Sequence, residues 1–300
     1  MTDDEPVRFG LVGVDSSHSV QFTRMLGDGR TGAVAGGTIV AAWQGPTVAD
    51  FPPSRDRNDD LAAEVAGLGV PLADSPEAVA EASDALLVVA SDARSHPTHL
   101  RRLARFGKPV YLDTRFAPTR RDAVEMLEQA EADGCLVLAG SPKRFTPEFR
   151  AAVAESASMG AIERIDLDGP LPEQPHHEFF AWYGVHLVDL AVAALGPDCA
   201  SVDATGGRVV LAWDDGRVAT LGGEAEWQPI TRGSIQSPAG LHAFEIESSA
   251  EMLAGLLTEI ISSCRTNSPN VPRAEITATV SIVEAAARSR ALGAPVAVPR

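Results

Sequence analysis

Val7-Arg8-Phe9-Gly10-Leu11-Val12-Gly13-Val14, followed by Asp15-Ser16-Ser17-His18, is an apolar run that ends in a glycine turn. Beyond it, His18 to Gly27 places Val20, Phe22 and Leu26 at near-helical spacing, so the segment predicts strand, loop, helix. The same alternation continues outward. Thr38 to Trp43 predicts a second strand and Val70 to Leu72 a short third one. Ser75-Pro76-Glu77 opens a helix, with Ser as cap and Pro in the first turn. Asp84 to Ala90 follows with no polar alternation, as expected of a strand buried on both faces. A helix over 97–106 closed by Gly107, a strand over 109–112, a helix over 119–132 and a strand over 136–139 complete a parallel sheet covered by helices.

After about Ser141 the pattern changes. One helix is expected over 186–195. Arg208 to Trp213 and Arg217 to Leu221 bracket Asp214-Asp215-Gly216, a hairpin signal, and so predict antiparallel sheet. Apolar helix faces occupy 252–264 and 274–292, separated by a loop containing Pro269 and Pro272. The fold class is therefore α/β: an amino-terminal doubly wound parallel sheet over 1–140, then an α+β domain with an open, mainly antiparallel sheet over 141–300.

Composition narrows the function. The chain has 300 residues, enough for about two domains. Its mean hydropathy is zero and no run approaches the roughly 18 apolar residues of a membrane span. Met1 to Pro6 is acidic where a secretory signal would be basic and then apolar, so a cytoplasmic protein is expected. With 25 Lys and Arg against 41 Asp and Glu the formal charge is −16, which repels a phosphate backbone and argues against nucleic acid. Cys135, Cys199 and Cys264 form no C-x-x-C pair, so reduced buried thiols are expected, without disulfide or metal.

The segment Gly10 to His18 sits where a doubly wound fold presents a ligand to a helix amino end. Gly13 begins a G-x-G-x-x-G pattern in which Asp15 and His18 replace the later glycines. A carboxylate at 15 beside a pyrophosphate costs Coulomb energy unless it is protonated, turned away or bridged by a cation. A tight turn capped by Ser16 or Ser17 is the plainer alternative. The acid usual at the end of the second strand is missing: Trp43-Gln44 stands there. Arg55 or Arg57 would meet a 2′-phosphate if their loop folds back, and otherwise lies on an exposed charged loop. Adjacent His176-His177 lacks the i, i+4 spacing of helical metal ligands, and Asp166, Asp168, Glu173 and Glu178 read as loop solvation.

The order Gly-x-x-Gly after the first strand, Ser91-x-x-x-x-His96, Gly107-Lys108-Pro109-Val110-Tyr111-Leu112-Asp113-Thr114-Arg115, Gly140-Ser141-Pro142-Lys143-Arg144-Phe145-Thr146-Pro147 and Gly184-Val185-His186-Leu187-Val188-Asp189 resembles the Gfo/Idh/MocA family of NAD(P)-dependent oxidoreductases. The resemblance spans nearly the whole chain. It implies an amino-terminal Rossmann domain, a sugar or polyol pocket in the second domain, and a homodimer or homotetramer. It also implies that Gly10, Gly13, Asp15, Ser16, Ser17, His18, Ser91, His96, Asp113 and Thr114 border an NAD or NADP cofactor, to which the charged-loop reading adds Arg55. In that family a Glu-Lys-Pro sequence supplies a lysine beside the nicotinamide; here Asp113, Thr114 and Arg115 stand in its place. Threonine carries no charge, which weakens any mechanism leaning on that lysine. Gly184-x-His186-x-x-Asp189 keeps the second motif, although Trp182 replaces an acid often found two positions before Gly184. His186 and Asp189, three apart, share a helix face, so His186 is expected as acid/base and Asp189 as its orienter or a substrate ligand. Lys143 is a further candidate. This reading requires that the strand ends and His186 border a common crevice. The rival expectation, from the losses at Asp15, Gln44 and Thr114, is a redox-inactive binding or regulatory protein, or a lyase or isomerase.

Overall fold

The computed structural model describes residues 5–158, 160–238 and 240–299. Two compact units divide the chain: Met1–Gly140 with Leu256–Val271, and Ser141–Gly255 with Pro272–Arg300. A simple cut at 140/141 thus omits one feature, the return of residues 256–271 to the first unit.

The first unit contains β1 (Val7–Val12), α1 (Ser17–Leu26), β2 (Gly37–Trp43), α2 (Pro52–Arg55), α3 (Asn58–Gly67), α4 (Pro76–Ala82), β3 (Ala85–Val88), α5 (His96–Leu103), β4 (Val110–Leu112), α6 (Arg120–Ala132) and β5 (Val137–Leu138). Its five strands are all parallel, in the order β2-β1-β3-β4-β5. The expected strand at Val70–Leu72 is reduced to a single bridge, Leu72 to Ala42. Pro71 explains this: its carbonyl accepts from the Ala42 amide at 3.0 Å, but it has no N–H with which to extend a ladder. Counting that bridge as a vestigial strand recovers the doubly wound order 3-2-1-4-5-6, whose crossover point lies between β1 and β3. β3 is buried along its whole length, in keeping with its unbroken apolar run.

Gly10 has a packing task. A Cβ there would lie 2.3 Å from Val79 Cγ1 and 2.9 Å from Ser83 Oγ, so the missing side chain lets α4 and the turn after it lie against β1. Gly13 sits at φ +71°, and a Cβ would meet the Ala90 Cβ at 2.7 Å. That turn brings the first loop against the end of β3.

The second unit contains α7 (Pro147–Ser158), β6 (Arg164–Asp168), α8 (Gly184–Leu195), β7 (Cys199–Asp203), β8 (Val209–Trp213), β9 (Val218–Gly222), β10 (Ile230–Ser237), β11 (Gly240–Glu247), the start of α9 (Met252–Thr266), α10 (Arg273–Leu292) and β12 (Val296–Ala297). Seven strands run β11-β10-β6-β9-β8-β7-β12, antiparallel except for the β6–β9 pair. The expected hairpin is β8–β9, closed by Gly216 at φ +91°. Along β8, Val209, Leu211 and Trp213 are buried and alternate with half-buried Val210 and Ala212, so one sheet face packs on helices and the other is open. Asp166 and Asp168 lie in β6 and pair with Arg164 and Arg208, a correction to their reading as loop residues. α8 is apolar on all sides and buried, which leaves Asp189 as a carboxylate that must find partners inside the unit.

Candidate functional site

At the strand ends of the first unit, Ser16 caps α1 and its hydroxyl accepts from the His18 amide at 3.2 Å; Ser17 is exposed. Asp15 is buried, and its Oδ1 accepts from the Ser91 amide at 2.7 Å. The carboxylate that threatened an anion is thereby turned inward. Ser91 also donates through Oγ to the Asp15 carbonyl at 3.0 Å, and its own carbonyl accepts from Arg115 Nη2 at 3.2 Å. Ser91 is a brace of this loop. Arg115, at φ +73°, is one of the few non-glycine residues in left-handed backbone.

Asp113 is buried at the end of β4. Its Oδ1 accepts from Tyr111 Oη at 2.9 Å and the Thr114 amide at 2.8 Å, and its Oδ2 lies 2.7 Å from His18 Nδ1. Burial alone would raise its pKa; the charge and hydrogen bond of His18, with Arg115 and the Thr114 amide, overcome that and hold it well below the usual carboxylate range. Thr114 is buried beside it and brings no charge.

His96 is placed differently from the expectation that it borders a cofactor. It is fully buried, with Nδ1 3.1 Å from the Phe116 carbonyl and Nε2 2.9 Å from the Ala90 carbonyl. Burial lowers its pKa against the pull of those carbonyls, and the neutral ring donates to one of them. Both nitrogens face backbone, so His96 buttresses the loops after β3 and β4. Arg55 is also turned away: exposed, it makes a forked pair with its neighbour Asp56. Arg57 instead reaches the first loop, its Nη2 donating to the Asp15 carbonyl at 3.0 Å. Gln44 donates to Asp59 Oδ1 at 2.7 Å, which brings a carboxylate to the end of β2 where the sequence reads as lacking one. The signal was the acidic first turn of α3, Asp59-Asp60.

In the second unit a different cluster forms. Gly184 is the first residue of α8, and its missing side chain leaves room for the Phe180 ring, whose Cδ1 would lie 2.4 Å from a Cβ there. His186 and Asp189 both meet Ser141: Ser141 Oγ is 2.8 Å from His186 Nδ1, and the Ser141 amide donates to Asp189 Oδ2 at 3.1 Å. Ser141 Oγ also accepts from the Lys143 amide at 3.2 Å. Sequence reasoning quoted Ser141 within a motif and gave it no role. Asp189 Oδ1 takes a further hydrogen bond from Arg144 Nη1 at 3.3 Å, and Arg144 pairs in turn with Glu275. Burial raises the Asp189 pKa, opposed by Arg144 and the Ser141 amide and reinforced by Glu275. Lys143 is 3% exposed, donates through Nζ to Ser248 Oγ at 2.7 Å, and burial pulls its pKa down to about 8. Tyr183 packs edge-on against the His186 ring, with centroids 5.6 Å apart. His177 is buried against Trp182, and among the described residues no group of three or more His, Cys, Asp or Glu is arranged to hold a metal ion.

No protein-family model matches the chain. An uncharacterized oxidoreductase, YhhX of Escherichia coli (strain K12), is 30% identical over 129 residues, which is 39% of this chain and 37% of that protein's length. A putative myo-inositol dehydrogenase from Sinorhizobium meliloti superposes with a TM-score of 0.80 at 17% identity, covering 98% of this chain and all of that one. That structure shares the fold of this chain, a parallel sheet with helices followed by a second, mainly antiparallel sheet. An Agrobacterium radiobacter oxidoreductase in complex with NAD+, L-tartaric acid and magnesium gives 0.77 at 17% identity, covering 97% of this chain and 98% of the other. The Lactobacillus casei myo-inositol dehydrogenase in complex with NAD(H) and myo-inositol gives 0.76 at 13%, covering 98% and 97%. No helix among the described residues is long and apolar enough to cross a membrane.

Proposed function

We propose that this protein is an NAD(P)-dependent oxidoreductase that moves hydride to or from a hydroxyl-bearing carbon of a sugar-like or polyol substrate, as a divergent relative of the Gfo/Idh/MocA enzymes. The reading is carried by the inward turn of Asp15 onto the Ser91 amide, because that carboxylate was the main electrostatic objection to a dinucleotide at the first loop. The residues present fit such a group: Gly13 has no Cβ and a left-handed backbone, Ser17 is exposed at the head of α1, and Asp59 beside Gln44 offers an acceptor for ribose hydroxyls. The segment Gly13 to Ser17, with Gln44 and Asp59, would hold it. When bound, a nicotinamide dinucleotide supplies the hydride donor or acceptor.

The proton is the business of His186. With Nδ1–H donating to Ser141 Oγ, its Nε2 accepts a proton from the substrate hydroxyl. The imidazolium so formed keeps its Nδ1–H on Ser141 Oγ and, in the reverse direction, gives the Nε2 proton back to the substrate oxygen. Asp189 makes no contact of its own with the imidazole in this scheme; it fixes the Ser141 backbone, which orients the ring. Lys143 positions substrate. The open face of the seven-stranded sheet is the surface offered to further copies in a homodimer or homotetramer. Titrating the protein with NADH and NADPH and reading nucleotide fluorescence tests the whole reading, and absence of binding by either refutes it in favour of a redox-inactive role. His186→Ala is expected to reduce turnover by roughly 10²–10⁴-fold while leaving dinucleotide affinity nearly unchanged.

A further inference from the structure

Trp227 lies in the loop between β9 and β10 and is 51% exposed. A single exposed indole needs no explanation by itself. This one is held in place. Its Nε1–H donates to Tyr183 Oη at 3.2 Å, and the Tyr183 ring packs edge-on against His186. Buried Trp182 backs Tyr183 in turn, with 6.1 Å between ring centroids. The loop is clamped at both ends: the Glu224 carbonyl accepts from the Leu171 amide at 2.8 Å, and the Pro229 carbonyl accepts from the Ser248 amide at 2.7 Å. These contacts close a circuit with the candidate site. It runs from Ser141 Oγ through His186, Tyr183 and Trp227 to the Pro229–Ser248 bond, and Ser248 leads through Lys143 back to Ser141. Ser141 and Lys143 are buried, Tyr183 and His186 half-buried, and Trp227 is the most exposed member.

We infer that Trp227 is the binding platform for a ring-shaped sugar or cyclitol, whose C–H face stacks on the indole while one of its hydroxyls meets His186. The inference rests on the proposed function for the role of His186, and adds the ring form of the substrate and the residue that selects it. The indole N–H is spent on Tyr183, so the side chain offers a π surface and no further donor. A pyranose or cyclitol complements that surface, because its faces carry C–H bonds and its edge carries the hydroxyls. Exposed Glu226 and half-buried Gln228, which flank Trp227 in the chain, offer acceptors for such hydroxyls. An open-chain polyol has no flat C–H face and loses more conformational freedom on binding. The clamped loop holds the indole ready before a ligand arrives, which limits the ordering cost on the protein side. The competing use of an exposed indole is a contact between copies of the chain, and the test separates the two.

The test is saturation-transfer NMR on the full chain, with and without NADH. The ring-shaped probes are myo-inositol and methyl α-D-glucopyranoside, and the open-chain probes are D-glucitol and xylitol. At least one ring-shaped probe is expected to receive saturation at its C–H protons and to bind more tightly than either open-chain probe. Trp227→Ala, at an exposed position, should weaken that binding by roughly three- to tenfold. Trp227→Phe keeps an aromatic plate and should retain most of the affinity. Tyr183→Phe removes the oxygen that holds the indole and should lose part of it. His186→Ala should preserve the C–H contacts. No binding of a ring-shaped probe under either condition, no preference over the open-chain probes, or unchanged affinity in Trp227→Ala overturns the inference. A changed sedimentation coefficient in Trp227→Ala also overturns it, in favour of a contact between copies, whatever the probe affinity. Ring-selective binding that depends on Trp227 in a chain that binds neither NADH nor NADPH upholds the platform and refutes the proposed function. NADH binding without that selectivity overturns the platform alone.

Discussion

Lys143 shows how much of the candidate site lies in single residues whose surroundings the sequence does not display. Its ammonium is buried with one neutral partner, Ser248 Oγ, and its pKa falls to about 8 from an ordinary 10.5. Between those two values the unfolded chain holds the proton and the folded one releases it, so this residue's contribution to stability rises with pH there and is most unfavourable below about pH 8. Lys143→Met is accordingly expected to stabilise the fold at pH 7 by on the order of 1–3 kcal/mol, with the advantage shrinking by about pH 10 in parallel urea titrations. Ser141→Ala removes the hydroxyl that aims His186 while retaining the amide that holds Asp189. Turnover should fall roughly ten- to hundredfold, with dinucleotide binding unchanged in a fluorescence titration. The sequence makes His186, Asp189, His18 and Asp113 legible as candidates, but not their connections. Ser141 lies 45 residues from His186, and Asp113 lies 95 from His18; only tertiary structure makes such partners neighbours.

Elements were easier to read where burial enforces a pattern. β3 is covered on both sides and shows as an unbroken apolar run, and the β8–β9 hairpin shows as two alternating stretches about a glycine. β10 and β11 escaped because their apolar positions are diluted: Ile-Thr-Arg-Gly-Ser-Ile-Gln-Ser packs Thr, Gly and Ser inward, and β11 at the sheet edge is largely exposed. α3 escaped because its buried face is only Asn58, Ala62 and Val65, too small for a clear helical period. The interlock of β1 and α4 makes a sharper claim. A methyl at position 10 would intrude on Val79 Cγ1, so Gly10→Ala should destabilise by about 1–3 kcal/mol, and Val79→Ala in the same chain should recover much of that loss. A double-mutant cycle from urea denaturation measures the coupling. Additive losses would mean that the two elements adjust independently.

At the scale of the molecule, the chain crosses between its two units three times, at 140/141, 255/256 and 271/272, and α9 is one continuous helix across the second crossing. The first unit therefore contains a segment that synthesis supplies late: Leu256, Leu257, Ile260, Ile261 and Val271, all buried. Residues 1–140 alone lack that apolar face, which is why a boundary drawn from the composition change at 140 does not describe a self-sufficient domain. The three cysteines report on this arrangement. Cys135 and Cys264 belong to the first unit and Cys199 to the second; all are buried, and burial pushes their thiols up to about 12, 12 and 11. Native protein should react very slowly with an aromatic disulfide reagent, since the thiolate is scarce and shielded. Because unfolding the first unit removes the helix that the second unit begins, the units are expected to lose structure together. Pulse labelling across a urea gradient, with each cysteine followed by peptide mass, should then give coincident midpoints for Cys135, Cys199 and Cys264. A Cys199 midpoint separated from the other two would show that the second unit unfolds independently of the 256–271 segment.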